Sequence, residues 1–260
     1  MDQPATTPPT TPTSAPPSLP ISETFFSIQG EGKLTGVPSF FIRTSGCNLR
    51  CAWCDTPYAS WNPDGGPRSI DSLVEQALAT NTRHAVLTGG EPMMFPHIET
   101  LAHELKRAGL HITIETAGTI HRTLPCDLMS ISPKLSNSTP TNRTFAPSHP
   151  AASLSPLALS QWAIRHEARR LNFDALNRLL ATYPDHQLKF VVASEADLEE
   201  IDSVLAQLSN WQPADVLLMP EGTAPPTPAS KEWITKACLA RGYRYCQRLH
   251  LELFGNKRGT

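Results

Sequence analysis

The chain has 260 residues, 40% apolar and 18% charged, and its 22 basic and 24 acidic side chains leave a net charge of -2. That balance provides no electrostatic footprint for nucleic acid or an anionic membrane, and no apolar run reaches the about 18 residues a membrane-spanning helix needs. Collagen, coiled coil and disulfide miniprotein are excluded by the same composition.

Seven of the 25 prolines fall in the first twenty residues, among Thr, Ser and Ala, with Asp2 as the one charge. Such a segment cannot bury enough surface to offset the entropy of ordering, so residues 1–19 are expected to form a disordered tail and 20–260 a single domain. The first basic residue is Lys33, which fits neither a signal nor a transit peptide, and a cytoplasmic protein is expected. Pro38 to Arg43 is a short apolar run bounded by turn residues, which predicts a buried strand. Ser69 caps a predicted helix whose Ile70, Leu73, Val74, Ala77 and Leu78 repeat at helical spacing. A strand over His84–Leu87 precedes a second helical stripe of Ile98, Leu101, Ala102 and Leu105, closed by Gly109. His111–Ile114 and Leu128–Ile131 are the next strands.

From Leu135 to Ser160 the chain is rich in Ser, Thr, Pro and Asn and predicts an insertion loop, either a lid or a mobile segment. Asn137-Ser138-Thr139 and Asn142-Arg143-Thr144 match the glycosylation pattern but read as chance in a polar loop. Helical pattern returns over Gln161–Leu180, then a strand over Leu188–Val192, and Ser194 with Asp197 opens another helix as a capping-box-like pair. Val216–Leu218 is a strand, followed by a helix through Trp233, Ile234 and Ala237 and a closing strand over Tyr243–Phe254. Alternation of this kind predicts an α/β fold, an incomplete TIM-type barrel of about six parallel βα units, with chemistry at the C-terminal ends of the strands.

Polar, glycine-rich or thiol groups do follow those strands. Cys47, Cys51 and Cys54 follow the first, Thr88-Gly89-Gly90-Glu91-Pro92 the second, Glu115-Thr116 the third, Ser132-Pro133-Lys134 the fourth and Met219-Pro220-Glu221-Gly222 the sixth. Three thiols within eight residues suit a metal better than disulfides. A structural zinc site needs a fourth ligand at local spacing, yet no His lies before residue 84 and no fourth Cys before residue 126. An iron–sulfur cluster held by three cysteines, with one iron open, is the favoured reading. Cys126, Cys238 and Cys246 are scattered and read as buried structural thiols rather than an auxiliary cluster, and His84 and His111 as core-edge residues.

The cysteine spacing and Gly-Gly-Glu-Pro loop resemble the radical S-adenosylmethionine (SAM) enzymes. Ser27-Ile28-Gln29-Gly30-Glu31-Gly32, Arg43, Cys54-Asp55-Thr56, Ser132-Pro133-Lys134 and Phe254-Gly255-Asn256-Lys257-Arg258-Gly259 narrow the resemblance, over residues 21–260, to the 7-carboxy-7-deazaguanine synthase family. The resemblance implies a [4Fe-4S] cluster on Cys47, Cys51 and Cys54, with SAM and Mg2+ as further cofactors. It implies ring contraction of 6-carboxy-5,6,7,8-tetrahydropterin to 7-carboxy-7-deazaguanine with loss of ammonia, as in queuosine biosynthesis. SAM contacts are expected at Gly89, Gly90, Glu91, Glu115, Ser132, Pro133, Lys134, Met219, Pro220, Glu221 and Gly222. The two glycines would allow close backbone approach and Glu91 would accept from the SAM ammonium. Pterin contacts are expected at Ile28, Gln29, Gly30, Arg43, Thr88 and Thr260, with Arg43 on the carboxylate and Thr56 on Mg2+. No protein general base is assigned. A flavodoxin or ferredoxin as electron donor and a homodimer, paired through the C-terminal strand edge, are the expected partners. A radical SAM activase that generates a glycyl radical on a protein, and a non-catalytic zinc module, are the rival readings.

Overall fold

The computed structural model of the chain describes residues 16–141 and 145–260; the rest of the predicted tail and the Asn142-Arg143-Thr144 sequon lie outside the described residues. Strands β1 (Ser18–Ile28), β2 (Pro38–Thr44), β3 (Gly66–Ser69), β4 (His84–Gly89), β5 (His111–Thr116), β6 (Leu128–Ile131), β7 (His186–Val192), β8 (Val216–Pro220) and β9 (Arg244–Tyr245) form one sheet in the order β3-β1-β2-β4-β5-β6-β7-β8-β9. From β2 to β9 every pairing is parallel, for example Phe40 beside Ala85 and Leu188 beside Val216, while β1 runs antiparallel to β2 and β3. The sheet is thus the open, partial barrel that the alternation predicts, with an antiparallel pair added at its leading edge.

Helices α1 (Ile70–Ala79), α2 (Ile98–Arg107), α3 (Pro156–Arg170), α4 (Phe173–Thr182), α5 (Asp197–Leu205), α6 (Pro228–Arg241) and α7 (Leu249–Phe254) complete the fold. Ser69 Oγ caps α1 by accepting from Ser72 N, and the α2 stripe Ile98, Leu101, Ala102 and Leu105 is wholly buried against the sheet. Alternation along β7 divides its side chains between two layers. Leu188, Phe190 and Val192 join the core between sheet and helices, whereas Lys189 and Val191 face the barrel interior.

Several expectations need correction. Ser18 and Leu19 belong to β1, and Leu19 is 1% exposed, so the tail boundary at 19 is late. The insertion loop ends at Ser155, whose Oγ accepts from Ala158 N while Pro156 occupies the first helical position: the Ser-Pro pair is a helix start, not loop. The single helix expected to Leu180 is two, broken at Asn172, which caps α4. At α5, Asp197 Oδ2 accepts from the amides of Ala193 and Ser194, but the Ser194 side chain does not reciprocate. β5 and β6 are joined without a helix. The expected closing strand is only the two-residue β9, which ends the sheet beside β8, and the chain then turns into α7.

Candidate active site

The loops at the C-terminal ends of β2, β4, β5, β6 and β7 enclose a cavity of about 550 Å³. Cys47, Cys51 and Cys54 all line it as free thiols. The loop that carries them is fixed from outside: Ala52 N donates to Ser138 O (2.7 Å), Trp61 Nε1 to Cys51 O (2.9 Å) and Arg50 N to His166 Nδ1 (3.1 Å). Ser138 and His166 belong to the segment read as an insertion loop and to α3, so that segment is the seat of the cysteine loop. Burial pushes the Cys47 thiol up to about 12, with the Glu91 carboxylate adding to it, and burial raises Cys51 and Cys54 as well. Thiols so placed give up protons readily only to a metal.

Gly89 and Gly90 line the cavity, but the close approach they permit is to protein. A Cβ on Gly90 would collide with the carbonyl oxygens of Gly46 and Ala59, and one on Gly89, at φ +145°, with Thr44. They let β4 abut the start of the cysteine loop. Glu91 does not line the cavity. It is 0% exposed, and its carboxylate accepts from Met93 N (3.1 Å), Thr116 Oγ1 (2.8 Å) and Ala117 N (2.8 Å). The expected ammonium partner is therefore a buried brace between the β4 and β5 loops, with its acidity lowered by burial against those hydrogen bonds.

Ile28, Gln29, Gly30, Arg43 and Thr88 line the same cavity. Gln29 Nε2 donates to Ser39 Oγ (2.9 Å), which fixes the amide, while the Gly30 carbonyl accepts from Leu249 N (2.8 Å). Arg43 Nε pairs with Glu23 Oε1 (2.7 Å) and its guanidinium lies 5.7 Å from the Phe25 ring centroid. Thr56 lines the cavity beside Cys54, with its hydroxyl 3.8 Å from that sulfur. Thr260 lies at the cavity with Asn256, Lys257, Arg258 and Gly259. Arg258 anchors this segment on Asp64 (2.7 Å) and Glu23 (3.1 Å) and stacks 4.1 Å over Tyr58.

Of the remaining expected SAM contacts, Glu115, Ser132, Lys134 and Met219 line the cavity, and Lys134 Nζ donates to Ser132 Oγ (2.7 Å). Pro133, Pro220, Glu221 and Gly222 do not; the Gly222 carbonyl accepts from Arg248 instead. Sequence reasoning missed the charged floor. Lys189 Nζ bridges Glu31 Oε2 and Glu115 Oε2, both at 2.8 Å, and Arg248 joins Glu31 Oε1 (3.0 Å) to Asp55. Burial opposes the charge on Glu31, Lys189 and Arg248, yet Lys189 and Arg248 hold the Glu31 carboxyl well below its usual range, and Glu115 and Glu31 hold Lys189 protonated. One signal was available: Lys189 is a lone cation in a strand that is buried at every position. Cys126 and Cys238 pack against or within the core, and Cys246, just past β9, accepts from Gly32 N. His84 and His111, register partners at the far ends of β4 and β5, lie away from the site with ring centroids 4.6 Å apart and planes tilted by 40°.

The family model of the Radical SAM superfamily matches residues 41–134, the stretch from β2 through Lys134 that holds the cysteine loop. A 7-carboxy-7-deazaguanine synthase from Rhodopirellula baltica is 46% identical over 241 residues, 92% of this chain and 88% of its own, and one from Halobacterium salinarum is 43% identical over 91% of each. The crystal structure of QueE from Escherichia coli superposes with a TM-score of 0.63 at 25% identity, covering 90% of this chain and 95% of its own. The sheet, the thiol-lined cavity and likeness along nearly the full length agree, and the chain belongs to the 7-carboxy-7-deazaguanine synthase family of radical SAM enzymes.

Proposed function

We infer that this chain is a radical SAM lyase that converts 6-carboxy-5,6,7,8-tetrahydropterin to 7-carboxy-7-deazaguanine with release of ammonia. The observation that carries this reading is one cavity lined both by three free thiols and by Gln29, Arg43 and Thr88. Among the described residues no three His, Cys, Asp or Glu side chains converge on a single metal ion. Three cysteines within eight residues, with no His before residue 84 and no further Cys before residue 126, suit a cluster with one open iron better than a zinc ion that needs a fourth ligand. Cys47, Cys51 and Cys54 would hold the [4Fe-4S] cluster, and Gly89, Gly90, Glu115, Ser132, Lys134 and Met219 would surround SAM. When bound, the two together supply a hydrogen-atom abstractor generated by one-electron reduction.

The chain's own residues orient and insulate. Arg43, steadied by Glu23, offers its remaining guanidinium donors to a carboxylate, and Gln29, fixed by Ser39, presents its amide edge to the pterin. Lys189 keeps its proton at Nζ between two carboxylates, so it sets a fixed positive charge at the floor rather than acting as a base. Thr56 is the proposed Mg2+ ligand, supported by a cavity-facing hydroxyl whose described side-chain contact is the 3.8 Å approach to Cys54. Segment Asn256–Thr260 lines the cavity and would border the bound pterin. Residues 18–260 act as one domain in this reading, placed in the cytoplasm; among the described residues no helix is long and apolar enough to cross a membrane. A homodimer belongs to it too, supported by the exposed Phe26, Leu253 and Phe254. Anaerobically reconstituted protein, reduced with dithionite and given SAM, Mg2+ and the pterin, should yield 7-carboxy-7-deazaguanine by mass spectrometry, and a Cys51→Ala variant should not. Deoxyadenosine without that product would overturn the substrate; zinc without iron would overturn the chemistry.

A further inference from the structure

The radical reading, on which this inference rests, needs one electron from outside the chain for each reduction of the cluster. The side of the cysteine loop on which α3 packs has the composition of a protein-docking surface. Ala163 and His166 of α3 point inward. The opposite face carries Leu157 and Ile164, 70% and 68% exposed, with exposed Arg165 and Arg169 beside them. At 3.6 residues per turn these four fall on one continuous arc. Trp162 borders that arc, its ring 4.3 Å from the Arg50 guanidinium and 5.3 Å from that of Arg165. Arg50 in turn donates to the carbonyls of Cys47 (2.8 Å) and Leu49 (2.7 Å), so the surface runs directly into the backbone that holds the thiols.

Charge decides the occupant. The one acid of α3, Glu167, is turned to the other side, where Thr139 and Arg170 engage it. Among the described residues Arg165 and Arg169 have no ion-pair partner, although the chain as a whole carries a net charge of -2. Two unpaired arginines, a half-buried tryptophan and two bare aliphatic side chains complement an acidic protein surface with an apolar centre. We propose that the exposed face of α3, with Arg50 and Trp162, docks an acidic, low-potential one-electron carrier protein. One electron leaves the carrier, which is oxidised by one, and enters the cluster, which is reduced by one; no bond or proton is exchanged between the proteins.

The test uses a recombinant flavodoxin as probe and the full chain with its cluster. Binding is measured by calorimetry at low and high salt, alongside cluster reduction by photoreduced flavodoxin followed by electron paramagnetic resonance. The double variant Arg165→Glu/Arg169→Glu should weaken binding about tenfold or more and slow flavodoxin-driven reduction in proportion, with the parent's affinity falling as salt rises. Dithionite-driven product formation should stay within about twofold of the parent, since both residues lie outside the cavity. Unchanged flavodoxin affinity in the variant would overturn the proposal, as would binding of RNA at this face with no response to flavodoxin. Loss of dithionite-driven turnover in the parent would instead strike the radical reading itself.

Discussion

Glu91 separates two accounts of the Gly-Gly-Glu-Pro loop. A ligand to the SAM ammonium would be dispensable to the apo fold, whereas a buried brace would not. The carboxylate receives three hydrogen bonds, two of them from backbone amides that have no other described acceptor. Glu91→Ala strands those two buried donors, at about 1–3 kcal/mol each, and Thr116 keeps one partner because its hydroxyl also accepts from Gly118 N. The sum is about 4 kcal/mol, a large share of the about 5–15 kcal/mol that holds a domain together. In a chain of this size it should lower the unfolding temperature by about 8–16 °C. Glu91→Gln keeps one acceptor oxygen for Met93 and Thr116 but turns an amide toward Ala117 N, so about half that loss is expected. Circular dichroism melts of the apo proteins, with no SAM present, read the effect directly. An Ala variant that melts within about 3 °C of the parent would refute the brace.

Gly90→Ala should reduce iron per chain after reconstitution to less than about half, because the added Cβ displaces the Gly46 and Ala59 carbonyls that begin and follow the cysteine loop; iron and sulfide analysis checks it. Burial holds His166 down to about 4, so the folded state keeps it neutral while the unfolded chain takes up a proton below 6.5. Stability from this residue is therefore present at neutral pH and lost as pH falls from 6.5 toward 4, about 2 kcal/mol between pH 7 and 5; urea titrations of the apo parent should show a steeper loss than those of His166→Gln. Arg258→Ala should raise KM for the pterin about tenfold by freeing the segment Asn256–Thr260, yet move the melting temperature by less than about 3 °C, because its ion pairs are partly exposed. Steady-state kinetics and a melt together decide it.

The parallel strands and their helices were legible because each carries its own period: the α2 stripe and the β6 run Leu128–Ile131 need no partner to be recognised. β1 was not. Pro20 sits inside it, opposite Pro67 of β3, and what makes the segment a strand is pairing on both sides, which local pattern does not record. The C-terminal error has a different origin: six residues, Leu249–Phe254, are too few for periods of 2 and 3.6 to be told apart. In the site, the motif residues at strand ends were readable, since neighbours in the chain stay neighbours there. The Glu31–Lys189–Arg248 floor joins positions 158 and 217 residues apart and leaves no spacing to read. Glu91 was placed correctly in the chain, but its hydrogen bonds to Met93, Thr116 and Ala117 were not legible, because a motif names a residue without saying which way its side chain turns.

The sheet does not close on itself, and beside single hydrogen bonds such as Leu249 N to the Gly30 carbonyl, what spans the opening is charge. Glu31 and Lys33, just past β1, reach Lys189 and Asp185 across the gap, and Arg248 ties the same corner to the cysteine loop. A barrel sealed by a strand ladder must break a row of backbone bonds together to widen. A seam of side chains parts one contact at a time, and each freed group can be met by water or by an incoming zwitterion. Because Lys189, Glu31 and Arg248 are largely buried, salt screens this seam little, and widening it means parting a few paired charges rather than a row of backbone bonds.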